Sequence, residues 1–399
     1  MDLSRRAALL GLSTSMCIGG SALALATAPT DKRLVVVILR GALDGMASVV
    51  PYGDPGLTAL RAEIVPPAPG QTDGLLDLGG FFGLHPALTG LHDMYQANEA
   101  LIVHAVAGGY RVRSHFEAQD CLESGADHRM TSGWLNRVVA AMPAEDLPAG
   151  TDRPDGEAIA IGVSVPLLLR GPAPVANWAP HGFAQPAPEL YATIAALNQG
   201  DPITGPAIAE GLRARGFSAA VMDGQQEPRE RDGFAALARS AGEMLRAPDG
   251  PRIAALEIGG WDTHTAQVNR LVGPLKQLDA GLVALKTALG PTWAGTAVLV
   301  MTEFGRTARV NGTRGTDHGT GTVAFVLGGA VAGGRVAGAW PGLGAGQLFE
   351  GRDLAPTTDL RSVARGILGP HLGLDGTALA NVFPGSEGVG ATPGIIKPT

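Results

Sequence analysis

Apolar residues in this chain gather into short unbroken runs, at 34–39 (LVVVIL), 100–106 (ALIVHAV), 158–163, 253–258 (IAALEI), 296–301 (TAVLVM) and 323–327. Runs of this length, rich in β-branched residues, are the pattern of strands covered on both faces. Between them apolar residues recur at helical spacing. Segments 88–98, 115–123 and 234–245 read as helices. Leu271, Leu275, Leu278, Leu282, Leu285 and Leu289 step by threes and fours, so they share one helix face. Strands alternating with helices predict an α/β fold with a doubly wound, largely parallel sheet and helices on both faces. Segment 143–225 is dense in proline and glycine and predicts an irregular insertion, a cap near the working edge of the sheet. The tail from Gly385 is rich in Gly and Pro and reads as frayed.

Three of the runs lead straight into ligand-type residues. The first runs into Asp44, the fourth into Asp262 and His264, and the fifth into Glu303; Asp317 and His318 follow in the next loop. Open parallel sheets carry their working residues in loops at the carboxyl ends of the strands. Carboxylates and imidazoles brought together at one such edge suit a divalent metal, zinc or manganese by donor type.

Each residue has a plainer reading beside the chemical one. Asp44, followed by Gly45, is a metal donor or the cap of the next helix. Ser114 precedes a helical segment and is a cap or a nucleophile aimed at a phosphoryl or sulfuryl group. His115 is left open as ligand, base or packed residue. Arg111 and Arg113 are an anion clamp or solvated loop residues. In Gly259-Gly260-Trp261-Asp262-Thr263-His264 the acid and the imidazole lie two apart, so an extended loop can aim both at one ion. Glu303 binds metal while Arg306 neutralises an oxyanion, or the two form a salt bridge. Asp317-His318-Gly319 sits among glycines and threonines, a setting that favours a ligand histidine over a core one. The glycine pairs form no dinucleotide fingerprint, and no phosphate loop is present.

Composition narrows the setting. The chain has 399 residues and a net charge of −7, which argues against general nucleic-acid binding. Ser4-Arg5-Arg6 followed by an uncharged stretch to Ala28 has the form of a twin-arginine signal peptide, with Ala26-Thr27-Ala28 as a cleavage site. Cleavage there removes Arg5, Arg6 and Asp2 and moves the charge to −8. Residues 29–399 then form a single domain, periplasmic or secreted, without a membrane span. Of the two cysteines, Cys17 leaves with the leader and Cys121 remains alone, so neither a disulfide nor a zinc–thiolate cluster is expected.

Taken together, LRGALDGM (39–46), RSHFEAQD (113–120), GGWDTH (259–264), TEFGRT (302–307) and GTDHGTG (315–321) are similar to the exported bacterial family called domain of unknown function 1501. More distantly they resemble the alkaline phosphatase-like superfamily of phosphatases and sulfatases. The resemblance implies an alkaline phosphatase-like fold and hydrolysis of phosphate or sulfate esters at a site of one or two metal ions. It implies Ser114 as nucleophile, aided by Arg306, with Asp44, Asp262, His264, Glu303, Asp317 and His318 as metal ligands. Substrates would be small anionic esters or envelope glycans, and the export machinery a partner. The chain departs from the superfamily in having Glu303 and Phe304 where Asp and His are usual, and one residue between Asp262 and His264 instead of three. A non-catalytic binding protein on the same fold, with a degenerate metal site, is the alternative.

Overall fold

A computed structural model describes residues 32–142, 157–179, 233–248 and 250–398. The expected leader at 1–28 and most of the expected cap at 143–225 lie outside the described residues. Nine strands build the main sheet: β1 (Arg33–Leu39), β2 (Ala100–Ala107), β3 (Ala158–Ile161), β4 (Ala176–Trp178), β5 (Ile253–Ile258), β6 (Thr296–Thr302), β7 (Thr322–Leu327), β8 (Arg335–Ala337) and β9 (Thr358–Asp359). Their order is β8-β2-β7-β6-β1-β5-β3-β4, with β9 also paired to β2. Helices are α1 (Gly45–Ser48), α2 (Leu57–Arg61), α3 (Thr89–Gln96), α4 (His115–Ser124), α5 (Trp134–Ala141), α6 (Gly233–Arg246), α7 (Gln267–Leu289), α8 (Leu360–Leu372) and α9 (Gly376–Val382).

The central strand shows why the apolar runs are continuous. Val35, Val37 and Leu39 of β1 pack into a core shared with α3, α6 and α7. Leu34, Val36 and Ile38, pointing the other way, join a second core with α5, α8 and α9. All six leucines of the α7 stripe are buried in the first core. Each buried leucine contributes about 1.5–3 kcal/mol, so this stripe is what anchors a helix of 23 residues.

β1 pairs in parallel with β5 and β6, β5 with β3, and β3 with β4. β7 is antiparallel to both β6 and β2. That reversal has a positional consequence. Because β7 runs backwards, its first residue sits at the edge where its neighbours end. The loops after β1, β2, β5 and β6, and the loop entering β7, therefore meet along one rim.

Glycine makes the loops fit together. A Cβ at Gly319 would fall 2.3 Å from the Arg306 carbonyl carbon, and one at Gly315 2.1 Å from the His264 carbonyl oxygen. After β1 the chain turns through Gly41 (φ +121) and Ala42 (φ +62), a left-handed conformation that costs an alanine energy. The turn presents the Gly41 N–H to Glu303 and the Ala42 carbonyl to Arg306. No helix among the described residues is long and apolar enough to cross a membrane.

Candidate metal centre

Three imidazoles converge at the rim. His115 opens α4 after the β2 loop, His264 lies in the β5 loop, and His318 lies in the loop entering β7. The Nε2 of His318 is 2.9 Å from the Nε2 of His115 and 3.1 Å from the Nε2 of His264. The carboxylate of Asp262 joins them, 3.0 Å from His264, 3.4 Å from His318 and 3.6 Å from His115. Ligand atoms of His115, Asp262 and His318 all lie within 4.8 Å of one another.

The far side of each ring fixes where its proton sits. The Nδ1 of His115 is 2.8 Å from Glu303 Oε1, that of His264 3.2 Å from Asp317 Oδ1, and that of His318 3.0 Å from the Arg113 carbonyl oxygen. Ionised carboxylates and carbonyls only accept, so each Nδ1 carries the hydrogen and donates it. The Nε2 atoms of His115 and His318 then face Asp262, and that of His264 lies beside His318 and Asp262. Lone pairs and a carboxylate at these separations repel unless a proton or a cation lies between them. Tetrahedral zinc with bonds of about 2.0–2.1 Å to nitrogen spaces its ligand atoms roughly 3.3 Å apart. The observed separations bracket that value, and the three acceptors behind the rings are the outer partners that metal-bound histidines use. His115, Asp262 and His318 could hold a divalent cation, with His264 beside Asp262 and His318.

The electrostatics differ between the rings. The hydrogen bond from His115 to Glu303 raises the His115 pKa. Burial lowers that of His318. Burial opposes ionisation of Asp262, but Arg306 and His264 draw its pKa below the usual carboxylate range. Glu303 also stays low despite its burial, because His115, Gln119 and Thr302 donate to it.

Not every residue singled out from the sequence faces the focus. Asp262, His264 and His318 do. Glu303 and Asp317 stand one step behind, each bonded to an imidazole Nδ1. Asp44 lies apart: it is fully buried, its carboxylate takes two bonds from Arg61 at 2.8 and 2.9 Å and one from Gln267 at 2.7 Å, and it caps α1 through Ala47 N–H. The buried guanidinium of Arg306 donates to Asp262, to the carbonyls of Gly41, Ala42, Thr316 and Trp261, and weakly to His264. With its donors so engaged it steadies the loops around Asp262 and has little left for a substrate oxyanion. No Glu303–Arg306 salt bridge forms; each has other partners. Ser114 is the extended N-cap residue of α4, half-buried, and its side chain makes no capping bond. Phe304 fills the superfamily's histidine position with a ring packed on His115 and His318, at centroid distances of 4.9 and 5.1 Å. His115 was legible only as one of three options, since a histidine at a helix start has no spacing signature.

The family model described as "Protein of unknown function (DUF1501)" matches residues 107–383, a span holding all four converging residues. No curated protein matches the chain. Among solved structures, Ps i-CgsB in complex with k-i-k-neocarrahexaose shares 10% identity at a TM-score of 0.35, covering 74% of this chain. This chain spans 65% of that protein's length. The C-terminal periplasmic domain of EcEptC from Escherichia coli, in complex with Zn, shares 9% identity at a TM-score of 0.34, covering 75% of this chain and 73% of its own. The phosphonate monoester hydrolase of Agrobacterium radiobacter shares 10% identity at 0.35, covering 77% and 70%. Overlaps this loose leave the fold assignment to the strand order itself.

Proposed function

This chain belongs to the DUF1501 family, and from that premise we propose that it is a metal-dependent hydrolase of phosphate or sulfate esters. The observation that supports the reading is the cluster of His115, Asp262 and His318 ligand atoms, with His264 beside it and the Nδ1 of each ring bonded outward. His115, Asp262 and His318, with His264 adjoining, would hold one divalent ion, zinc by donor type. Such an ion, when bound, supplies positive charge that polarises the ester and stabilises negative charge as the bond to the leaving oxygen breaks.

The chain's own residues do the rest. Glu303, Asp317 and the Arg113 carbonyl hold the three rings in one tautomer. Arg306 keeps Asp262 ionised and turned toward them. Ser114, next to His115 at the amino end of α4 and free of a capping duty, is the proposed nucleophile. Its oxygen takes the phosphoryl or sulfuryl group, the ester oxygen leaves as an alcohol, and water then releases the acid. The unpaired N–H groups of the first turn of α4 favour an anion at that place. With Asp44 committed to Arg61, the arrangement supports one ion better than two. Residues 1–28 support export by the twin-arginine route to the periplasm or beyond, as a single domain from residue 29.

The test is direct. Purified protein should contain about one divalent ion per chain by elemental analysis and hydrolyse an aryl phosphate or an aryl sulfate. Ser114→Ala should keep the metal and lose turnover. Undiminished turnover in that variant would transfer the attack to solvent. Absence of both metal and turnover after reconstitution would leave the alternative, a binding protein.

A further inference from the structure

Residues of α4, α5, β6 and α8 line a cleft of about 430 Å3, its open mouth included. Its wall is apolar: Ala118 and Leu122 of α4, Trp134 of α5, Met301 of β6, Ala364 of α8, and Phe383. Glu303 belongs both to this wall and, through its 2.8 Å bond to His115, to the frame of the metal centre. A smaller cleft of about 210 Å3 shares Tyr110 and Glu303 with the first and reaches Phe304, Gly319 and Thr320 beside His318. Tyr110 and Glu303 thus line both clefts, and Glu303 links them to His115.

We propose that the larger cleft binds a compact alkyl or aryl group carried next to an anionic head, so that the ligand of this site is an amphiphilic phosphate or sulfate ester. The head's hydrolysis rests on the reading above; the tail rests on the cleft.

The cleft holds no free charge to receive anything else. The Glu303 carboxylate is committed to Gly41, His115, Gln119 and Thr302, and its negative charge repels an anionic head. Burial pushes the Cys121 thiol up to about 11, so it stays neutral. The Tyr110 hydroxyl is bonded to Glu117. Arg361 is tied to Asp359 through two nitrogens. A head that must stay outside and an apolar hollow beside it set the orientation: charge toward the imidazoles, hydrocarbon toward Trp134 and Phe383. Exposed apolar residues flank the same place, Val112 in the wall of the smaller cleft at 62% exposure and Phe116 beside His115 at 85%.

The experiment uses the full chain with its metal and two readouts. The first is kcat/KM on alkyl phosphates and alkyl sulfates from methyl to hexyl. It should rise roughly fourfold per added methylene until the cleft is full. The second is binding of 4-tert-butylphenol, which has no head to hydrolyse, followed by quenching of tryptophan fluorescence that disappears in Trp134→Phe. Ala118→Phe and Ala364→Leu fill the cleft from opposite walls. Each should lower the hexyl-to-methyl ratio at least tenfold and weaken the phenol, with thermal melts confirming a folded protein. A flat series without phenol binding, or phenol binding untouched by both fillings, overturns the inference. Phenol binding that the fillings abolish, in a protein that turns over no ester, supports the cleft and rejects the hydrolase reading instead.

Discussion

Two carboxylates follow strands of the same sheet, each in a loop that contains glycine, and they meet opposite fates. Asp44 comes after β1 and is sealed against Arg61, both side chains 1% exposed. Asp262 comes after β5, and its side chain is 45% exposed among three imidazoles. The strand end sets where a residue lies; the charge of its nearest neighbour sets what it can do. A guanidinium with two bonds to one carboxylate has already supplied the cation. Arg306 also touches Asp262, but it divides its donors among four carbonyls, and Asp262 stays partly exposed.

The comparison breaks or holds first at the imidazoles. His318→Ala removes the nitrogen nearest both other rings, and bound metal should fall from about one ion per chain to none, with activity lost. Retention of full metal in that variant would shift the centre elsewhere. Arg61→Met should do the reverse. It strands a buried carboxylate and should cost about 3–5 kcal/mol of stability in a denaturant titration. Metal content should stay near one ion, because the pair lies outside the cluster. Loss of metal without loss of stability would show that Asp44 is a ligand after all.

Acid should reach the sealed region by a route of its own. His104 lies near Asp44 and Arg61, fully buried, with Nε2 2.9 Å from the Val49 carbonyl oxygen. Burial lowers its pKa to about 4. Burial likewise lowers His371, whose Nε2 is 2.9 Å from the Arg33 carbonyl oxygen, to about 4. Both folded values lie below the unfolded value of about 6.5, so the unfolded chain binds more protons between them. Their contribution is complete above pH 6.5 and is lost as pH falls toward 4, by roughly 1.4 kcal/mol per unit for each histidine. Stability measured from pH 7 to 4 should show this slope, and His104→Gln should flatten it by about one proton.

Much of the frame was legible in the sequence for a simple reason. A strand buried on both faces must be apolar throughout, so the runs at 34–39, 253–258 and 296–301 announced themselves, as did the α7 leucines. The direction of a run is not written in its composition, and the reversal of β7, which brings His318 to the rim, was not foreseen. The small three-stranded sheet of 49–50, 76–77 and 83–84 was also missed, since two residues make no pattern. At the site, residue type pointed to loops that the fold brings to one rim. It could not separate a carboxylate that meets a cation from one that holds the ring behind it, as Glu303 and Asp317 do. Arg61, 17 residues from Asp44, carries no signal in the sequence, and only the fold brings it back.

Those two outer carboxylates give the finest test. Glu303 side-chain atoms are buried, and its bond to His115 is short. Glu303→Gln keeps the shape but removes the charge that favours the His115 tautomer. Metal affinity should fall about 10–100-fold, as for other outer partners of metal-bound histidines. Asp317 makes the equivalent contact to His264, but its side chain is 53% exposed and also bonded to Asn311. Water and salt screen a charge so placed, and water can replace it as acceptor. Asp317→Asn should therefore weaken the metal by less than about tenfold, and less still at high ionic strength. Competition with a chelator of known affinity reads both variants on one scale. Equal losses would mean that burial does not decide the strength of an outer partner, and the contrast between sealed and open carboxylates would fail at its smallest step.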